Sequence, residues 1–413
     1  MFLITFVDVL GFTIVIPLLA FYAEKFGASR LVATLIVSCY AVCSLISTPI
    51  IGRLSDQYGR KRLLLISQAG TFVGFLVLGN ATALWMVFLG RIIDGCTAGN
   101  LSIAQAYISD HTEPKDRAKA FGVIGIAFGI GFMAGPAIGG RLGEYGLHVP
   151  FLVAASMSLL SIVCTAFLLP NDGPALATAP VAQEAGPAGR RPSAFDWRVY
   201  AEYFGRPALR SLYVQFFLFS FAFSCFMSGY ALWSEANPHF HWGPKQVGYL
   251  FMYSGFLGIL IQGGLLGRLV KKFGELKMTI VGFVFATIAY VLVGFATSVA
   301  GLLVAATVNS FGHGVLRPVI TARMSQTVGR HEQGTVLGIS GSLSSVAMAM
   351  APPTGGFMLQ HLWLLAWALI PAAVSALGLM VTVATANKVE AAKVVPPGAS
   401  PGASAGASPA ATA

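Results

Sequence analysis

Apolar residues fill this chain in long blocks, and the polar ones are confined to short stretches between them. A bilayer core about 30 Å thick takes roughly 20 apolar residues in a helix. Twelve segments reach that length: 2–22, 31–52, 63–80, 83–108, 118–141, 150–169, 208–234, 246–269, 278–297, 300–325, 334–359 and 362–386. The pattern predicts an all-α membrane protein of twelve spans. The first span starts almost at Met1 without the basic region and small-residue cleavage site of a signal peptide, so no cleaved leader is expected.

Two polar stretches divide the pattern. After the sixth span, 170–207 is rich in Pro, Ala and Gly and reads as a flexible cytoplasmic linker. The linker ends in FDWRVYAEYF, whose mix of aromatic and charged residues predicts a short surface helix. The end of the chain, 388–413, reads as a disordered tail. The halves between them, 1–169 and 208–387, repeat one another. Gly52-Arg53-Leu54 and Gly59 return 215 residues later as Gly267-Arg268-Leu269 and Gly274, and GPAIGG at 135–140 returns as APPTGG at 351–356, 216 residues on. Two distant landmarks with nearly one offset imply two parallel six-helix bundles. In transporters built this way the substrate site lies near the midplane between them.

Composition agrees with the spans. Of 413 residues 56% are hydrophobic and 10% charged, against roughly 25% charged in soluble domains. The net charge of +10 invites a nucleic-acid reading, but the position of the cations rules against it. With both termini inside, 20 of the 26 Lys and Arg fall on the cytoplasmic side, four outside and two, Arg91 and Arg317, within spans. The five cysteines all sit in apolar segments without metal-ligand spacing and read as small core residues. No nucleophile–base pair, phosphate loop or metal cluster is visible, so neither an enzyme nor a cofactor is expected. The expected partners are the bilayer, a small-molecule substrate and protons, with the protein acting as a monomer.

Ionisable residues inside spans carry the chemistry, because each costs roughly 2.5–3.5 kcal/mol at the bilayer centre. Asp8 and Asp94 are the two acids, joined by Arg91, Arg317 and His313. Arg91 and Asp94 are three apart on one helix and share a face, either as a structural ion pair or as a proton site. Asp8 has no partner on its own helix. In the tenth span Asn309, His313 and Arg317 form a polar stripe at four-residue spacing, which predicts a cavity lining; Gln262 and Tyr230 are further candidates for it. The fifth span carries Gly131, Gly135, Pro136, Gly139 and Gly140, several at the small-xxx-small spacing that lets helices approach. Pro136 is expected to bend it.

The loop GRLSDQYGRKR at 52–62 resembles the signature between spans two and three of the major facilitator superfamily, and GIAFGIGFMAGPAIGG resembles the span-five signature of its drug/proton antiporters. DVLGFTIVIP and ALWMVFLGR are similar to segments of the tetracycline/proton antiporters. The resemblance implies proton-coupled efflux of a small organic compound by alternating access, in a bacterial inner membrane. It further implies that Gly52, Asp56, Gly59 and Arg60 latch the halves in the outward-facing state. The 131–140 bend would shape the cavity and restrict proton leak, and Arg91 would tune a neighbouring acid. Where those antiporters have an acid in span three, a histidine in span eight and an acid in span nine, this chain has Gly74, Gly258 and Ala286. Tetracycline therefore does not carry over as the substrate. Uniport or symport of a metabolite on the same fold, or a sensor that binds without transporting, are the rival readings.

Overall fold

The computed structural model describes residues 2–112, 117–170, 197–329 and 332–394. All twelve predicted segments are helical. Among the described residues, nine helices are long and apolar enough to cross a membrane, or ten if one bent pair counts as a single span. The distal tail and most of the linker lie outside the described residues.

Span one is the bent pair, α1 (Phe2–Val15) and α2 (Leu19–Lys25), meeting at 43°. Pro17 lies in the break, where its missing N–H and its ring interrupt the helical ladder. Next come α3 (Arg30–Tyr58) and α4 (Arg60–Gly79). The single residue between them, Gly59, has φ +97°, a conformation strained for any residue with a Cβ. Its repeat partner Gly274, with φ +81°, stands in the same way between α12 (Leu266–Phe273) and α13 (Glu275–Phe295). One left-handed residue joins two helices at both copies of the motif.

Span four departs from the expected continuous helix. It is split into α5 (Leu84–Cys96) and α6 (Asn100–His111). Hydroxyl groups take over the backbone at the break. Ser47 donates to the Gly95 carbonyl at 2.6 Å, Thr48 to the Ala98 carbonyl at 2.9 Å and Ser67 to the Thr97 carbonyl, while the Gly99 N–H donates to Ser67 Oγ at 3.0 Å. An interruption inside a membrane is tolerable when its freed groups are satisfied in this manner.

The first half closes with α7 (Arg117–Leu142) and α8 (Val149–Leu168). Helix α9 (Trp197–Gly205) occupies the place of the expected surface helix, and its end is tied to the second half. Arg206 bonds Glu332 at 2.8 Å, Tyr203 donates to the same oxygen at 3.1 Å, and Phe204 packs on Tyr213. The second half continues with α10 (Pro207–Ala236), α11 (Pro244–Leu260) with a π-helical turn over Ile261–Leu265, α14 (Val299–Gln326), α15 (Gln333–Gln360) and α16 (Leu364–Val394).

The sequence halves meet along two seams, α7 against α11 and α3 against α15. Both are tight at the end remote from the 52–62 loop. A Cβ on Gly140 would lie 2.6 Å from the Pro244 carbonyl, one on Gly248 would strike the Pro136 carbonyl, and one on Gly356 would strike Thr34. Toward the loop end the picture reverses. Gly52, Gly263, Gly264, Gly267, Gly338 and Gly341 have nothing within 4 Å of the position a Cβ would take.

Candidate functional site

Helix α5 brings Arg91 and Asp94 onto one face, and both are 4% exposed. Arg91 Nη1 donates to Asp94 Oδ2 at 2.7 Å, and the guanidinium stacks over the Tyr40 ring, 4.4 Å from its centroid. The predicted pair therefore forms, with an aromatic face from α3 added to it. Arg91 Nε is enclosed without a partner, so the cation is not fully satisfied by this arrangement.

Asp8 sits half-buried between α4 and α8. Gln68 Nε2 donates to Asp8 Oδ2 at 3.4 Å and to Ser161 Oγ at 2.8 Å, and Ser158 Oγ donates to the Gln68 carbonyl at 3.1 Å. Asp8 thus has neutral partners and Asp94 a charged one. Both acids contact α4, Asp8 at Gln68 and Asp94 at Gly74. One bundle therefore holds two carboxyl groups in unlike environments, which is how a protein gives them different tasks.

Gly74 explains how Asp94 fits. A Cβ there would stand 2.8 Å from the Gly90 carbonyl and 3.0 Å from the Asp94 Cβ. The resemblance puts an acid at position 74. In this chain the facing helix brings Asp94 to the same contact, and only glycine leaves room for it.

The stripe on α14 does not share one space. Asn309 is buried with Oδ1 unpartnered, and it lines a narrow cavity with Tyr230, Phe226, Phe251 and Ser254. The Tyr230 hydroxyl is likewise buried and unpartnered. His313 turns toward other aromatics: its Nε2 meets the Tyr290 hydroxyl at 2.7 Å, and its ring packs on Phe219 and Phe223. Arg317 is exposed, as is Gln262 in the π-helical turn. A π turn of this kind frequently marks a functional position in a helix.

The span-five motif has two working faces. Gly131, Gly135 and Gly139, four apart, lie against Val9, Thr13 and Ile14 of α1, and the Thr13 hydroxyl donates to the Gly131 carbonyl at 2.9 Å. Gly140, the Pro136 carbonyl and Met133 instead face Pro244, Gly248 and Gly255 of α11. The first face packs within a half; the second is the seam. Helix α7 runs unbroken through Pro136.

In the 52–62 loop Asp56 Oδ1 pairs with Arg60 Nη1 at 2.5 Å, one turn along, and Arg60 also donates to Ser55 Oγ at 2.7 Å. Lys61 Nζ caps α8 by donating to the Ala166 and Leu169 carbonyls at 2.8 and 2.6 Å, a favourable place for a cation at a helix C-terminus.

Comparison with known proteins follows the same lines. The sequence model of the Major Facilitator Superfamily matches residues 1–281 and 216–410. The chain belongs to the Major Facilitator Superfamily. It is 29% identical to the class C tetracycline resistance protein of Escherichia coli over 84% of this chain and 85% of that one. It is 27% identical to multidrug resistance protein 2 of Bacillus subtilis (strain 168), over 86% of each. The fold is similar to that of nucleoside transporter NupG (TM-score 0.74, 13% identity, 93% of this chain and 97% of that one). It is also similar to that of the human organic anion transporter MFSD10 (TM-score 0.67, 23% identity, 92% and 97%). This superfamily member is a multi-pass membrane protein of a transporter family.

Sequence reasoning missed Gln68, Ser158 and Ser161 around Asp8, and Tyr40 over Arg91. A lone amide in an apolar helix and two serines three apart in α8 were the available signals.

Proposed function

We propose that this superfamily member exports a small organic compound in exchange for protons, as a monomer in a bacterial inner membrane with both termini cytoplasmic. Export and a bacterial membrane follow the relatives named above, and the orientation follows the cation count. The observation that carries the coupling is the first-half cluster in which Asp94, paired to Arg91 at 2.7 Å, and Asp8, on neutral partners, both contact α4. Protonating Asp94 releases Arg91 from its carboxylate, while Asp8 exchanges its proton without losing an ionic partner. Each step changes the charge inside the bundle, and a potential of 100 mV acts on such a charge with about 2.3 kcal/mol. In this reading the bundles 1–169 and 208–387 rock about their two seams. The seams are closed on the outer side and apart on the loop side, so the chain stands in an inward-facing state. The Asp56–Arg60 pair is then the released form of the latch. Tyr230, Asn309, His313, Arg317 and Gln262 are the second-half groups offered to the substrate as the cavity changes shape.

The test is proton release. Purified protein in weakly buffered detergent is screened against organic cations and aromatic amines, and pH change is recorded on adding each binder. Wild type releases protons, whereas Asp8→Asn and Asp94→Asn each release fewer. Binding with no proton movement in wild type assigns the fold to uniport instead.

A further inference from the structure

The two arginines within spans are treated differently by the fold. Arg91 is buried, bonded to Asp94 and stacked on Tyr40. Arg317 is exposed; Thr321 donates to its carbonyl, but among the described residues nothing bonds or pairs with its guanidinium. Arg323, six residues further along the same helix, is held by Gln215 Oε1 at 3.3 Å and Thr279 Oγ1 at 3.2 Å. Counted back from Gln326 at about 1.5 Å per residue, Arg317 lies about 14 Å above the cytoplasmic end of α14. A lone cation at that depth is costly unless it faces water or an anion.

Neighbours on the helix fix the direction it faces, since positions three and four apart share a side. Four residues back, His313 packs on Phe219 and Phe223 of α10. Three residues back, a Cβ on Gly314 would stand 3.2 Å from Ile261, in the π-helical turn that follows α11. Arg317 therefore emerges between α10 and α11. Helix α11 forms one seam with the first half, and α10 packs on α15, which forms the other. The opposite side of α14 is taken by α13, where Gly312 touches Ala286. So Arg317 is turned toward the gap between the halves and away from lipid. Gly263 and Gly264, next along the π turn, have nothing within 4 Å of a Cβ position, so α11 stands clear at this level.

We infer that Arg317 anchors an anionic group of the substrate, and that the substrate class is an aromatic carboxylate. The planar guanidinium presents a fork that matches the two oxygens of a carboxylate. The aromatic part follows from the lining one turn deeper, where Phe223 is half-buried beside His313. The inference rests on the proposed export of a small organic compound and narrows its class. Of the aromatic amines in the proton-release screen, those that also carry a carboxylate belong to it, and simple organic cations do not.

Calorimetric titration of the purified full-length protein in non-ionic detergent compares naphthoate with its uncharged counterpart naphthamide and with acetate. Wild type should bind naphthoate at least tenfold more tightly than either, roughly the worth of one hydrogen bond to a charged group. Arg317→Gln should weaken naphthoate by about 10- to 150-fold and leave naphthamide alone, with Arg317→Lys recovering part of the loss. Arg268→Gln removes an exposed cation from α12 and should change neither affinity. Equal affinity for naphthoate and naphthamide in wild type refutes the anion site without any variant, and so does naphthoate binding that survives Arg317→Gln. Acetate binding as tightly as naphthoate refutes the aromatic class. Displacement of naphthoate by phosphatidylglycerol added to the micelles assigns Arg317 to a lipid headgroup and overturns the inference. Failure of proton exchange reads out separately, as naphthoate that binds through Arg317 while no proton is released.

Discussion

A single methyl group added at Gly140 should hold the outer face apart. A Cβ at this position would lie 2.6 Å from the Pro244 carbonyl oxygen and 3.1 Å from the Lys245 Cα. Both are backbone atoms on the far side of the seam, so no side chain can swing away. Ordinary contact begins at 3.4 Å, leaving the first of these short by 0.8 Å. The two helices must therefore part by about that much, and the Glu144–Lys245 bond beside them stretches. Overpacking of this sort costs about 1–3 kcal/mol, which shifts the closed-to-open ratio roughly five- to 150-fold at 1.4 kcal/mol per decade. The fold of each half should be untouched, because Gly140 faces the other half rather than α1. Spin labels at Lys25→Cys and His239→Cys, in protein with its five native cysteines replaced by serine, read the effect directly: Gly140→Ala should populate a longer distance than wild type. Gly264→Ala, with nothing within 4 Å, is the control and should leave the distribution alone. If Gly140→Ala matches wild type in distance and in thermal midpoint, the seam described above is not what closes the outer face.

Other substitutions separate packing from coupling. Arg91→Met strands Asp94 in the bundle and should cost about 3–5 kcal/mol in detergent unfolding, much of it recovered in Arg91→Met/Asp94→Leu. Asp56→Asn removes a loop pair whose carboxylate side chain is 40% exposed; stability should move by less than about 1 kcal/mol, while transport in proteoliposomes is lost if the latch is real. Lys245, hydrogen-bonded to Glu144 with Arg141 beside it, holds the Glu144 carboxyl below the usual carboxylate range. Its contribution to the closed seam is accordingly complete above about pH 4.3, the ordinary glutamate value, and disappears as pH falls further. Glu144→Gln should abolish that acid-side opening in the same distance measurement.

Much of the architecture was legible because the bilayer imposes simple rules. Long apolar runs marked every helical segment, and the 215-residue offset located two left-handed glycines, Gly59 and Gly274, that make the same turn. The Arg91–Asp94 pair was legible from its spacing, since helix geometry alone brings positions three apart together. Other features depend on distant parts of the chain. The break in span four is held by Ser47, Thr48 and Ser67 from two other helices; residues 97–99 alone gave no sign of it. Asp8 found its partners on α4 and α8, and the stripe on α14 divided between two aromatic surroundings because neighbouring helices approach it from different sides. The two faces of the span-five glycines share one spacing in sequence. Which of them crosses to the other half is decided only by what lies opposite.

Where α7 meets α11, backbone rests on glycine at Gly140, Gly248 and Gly255, and the Ile259 side chain lies against Gly129. Where backbone meets glycine the surfaces part with no side chain to unhook, so the ease of rocking there is governed by wetting and charge. Neighbouring positions along these helices can then drift in sequence with little effect on turnover, while the bare line itself tolerates no methyl.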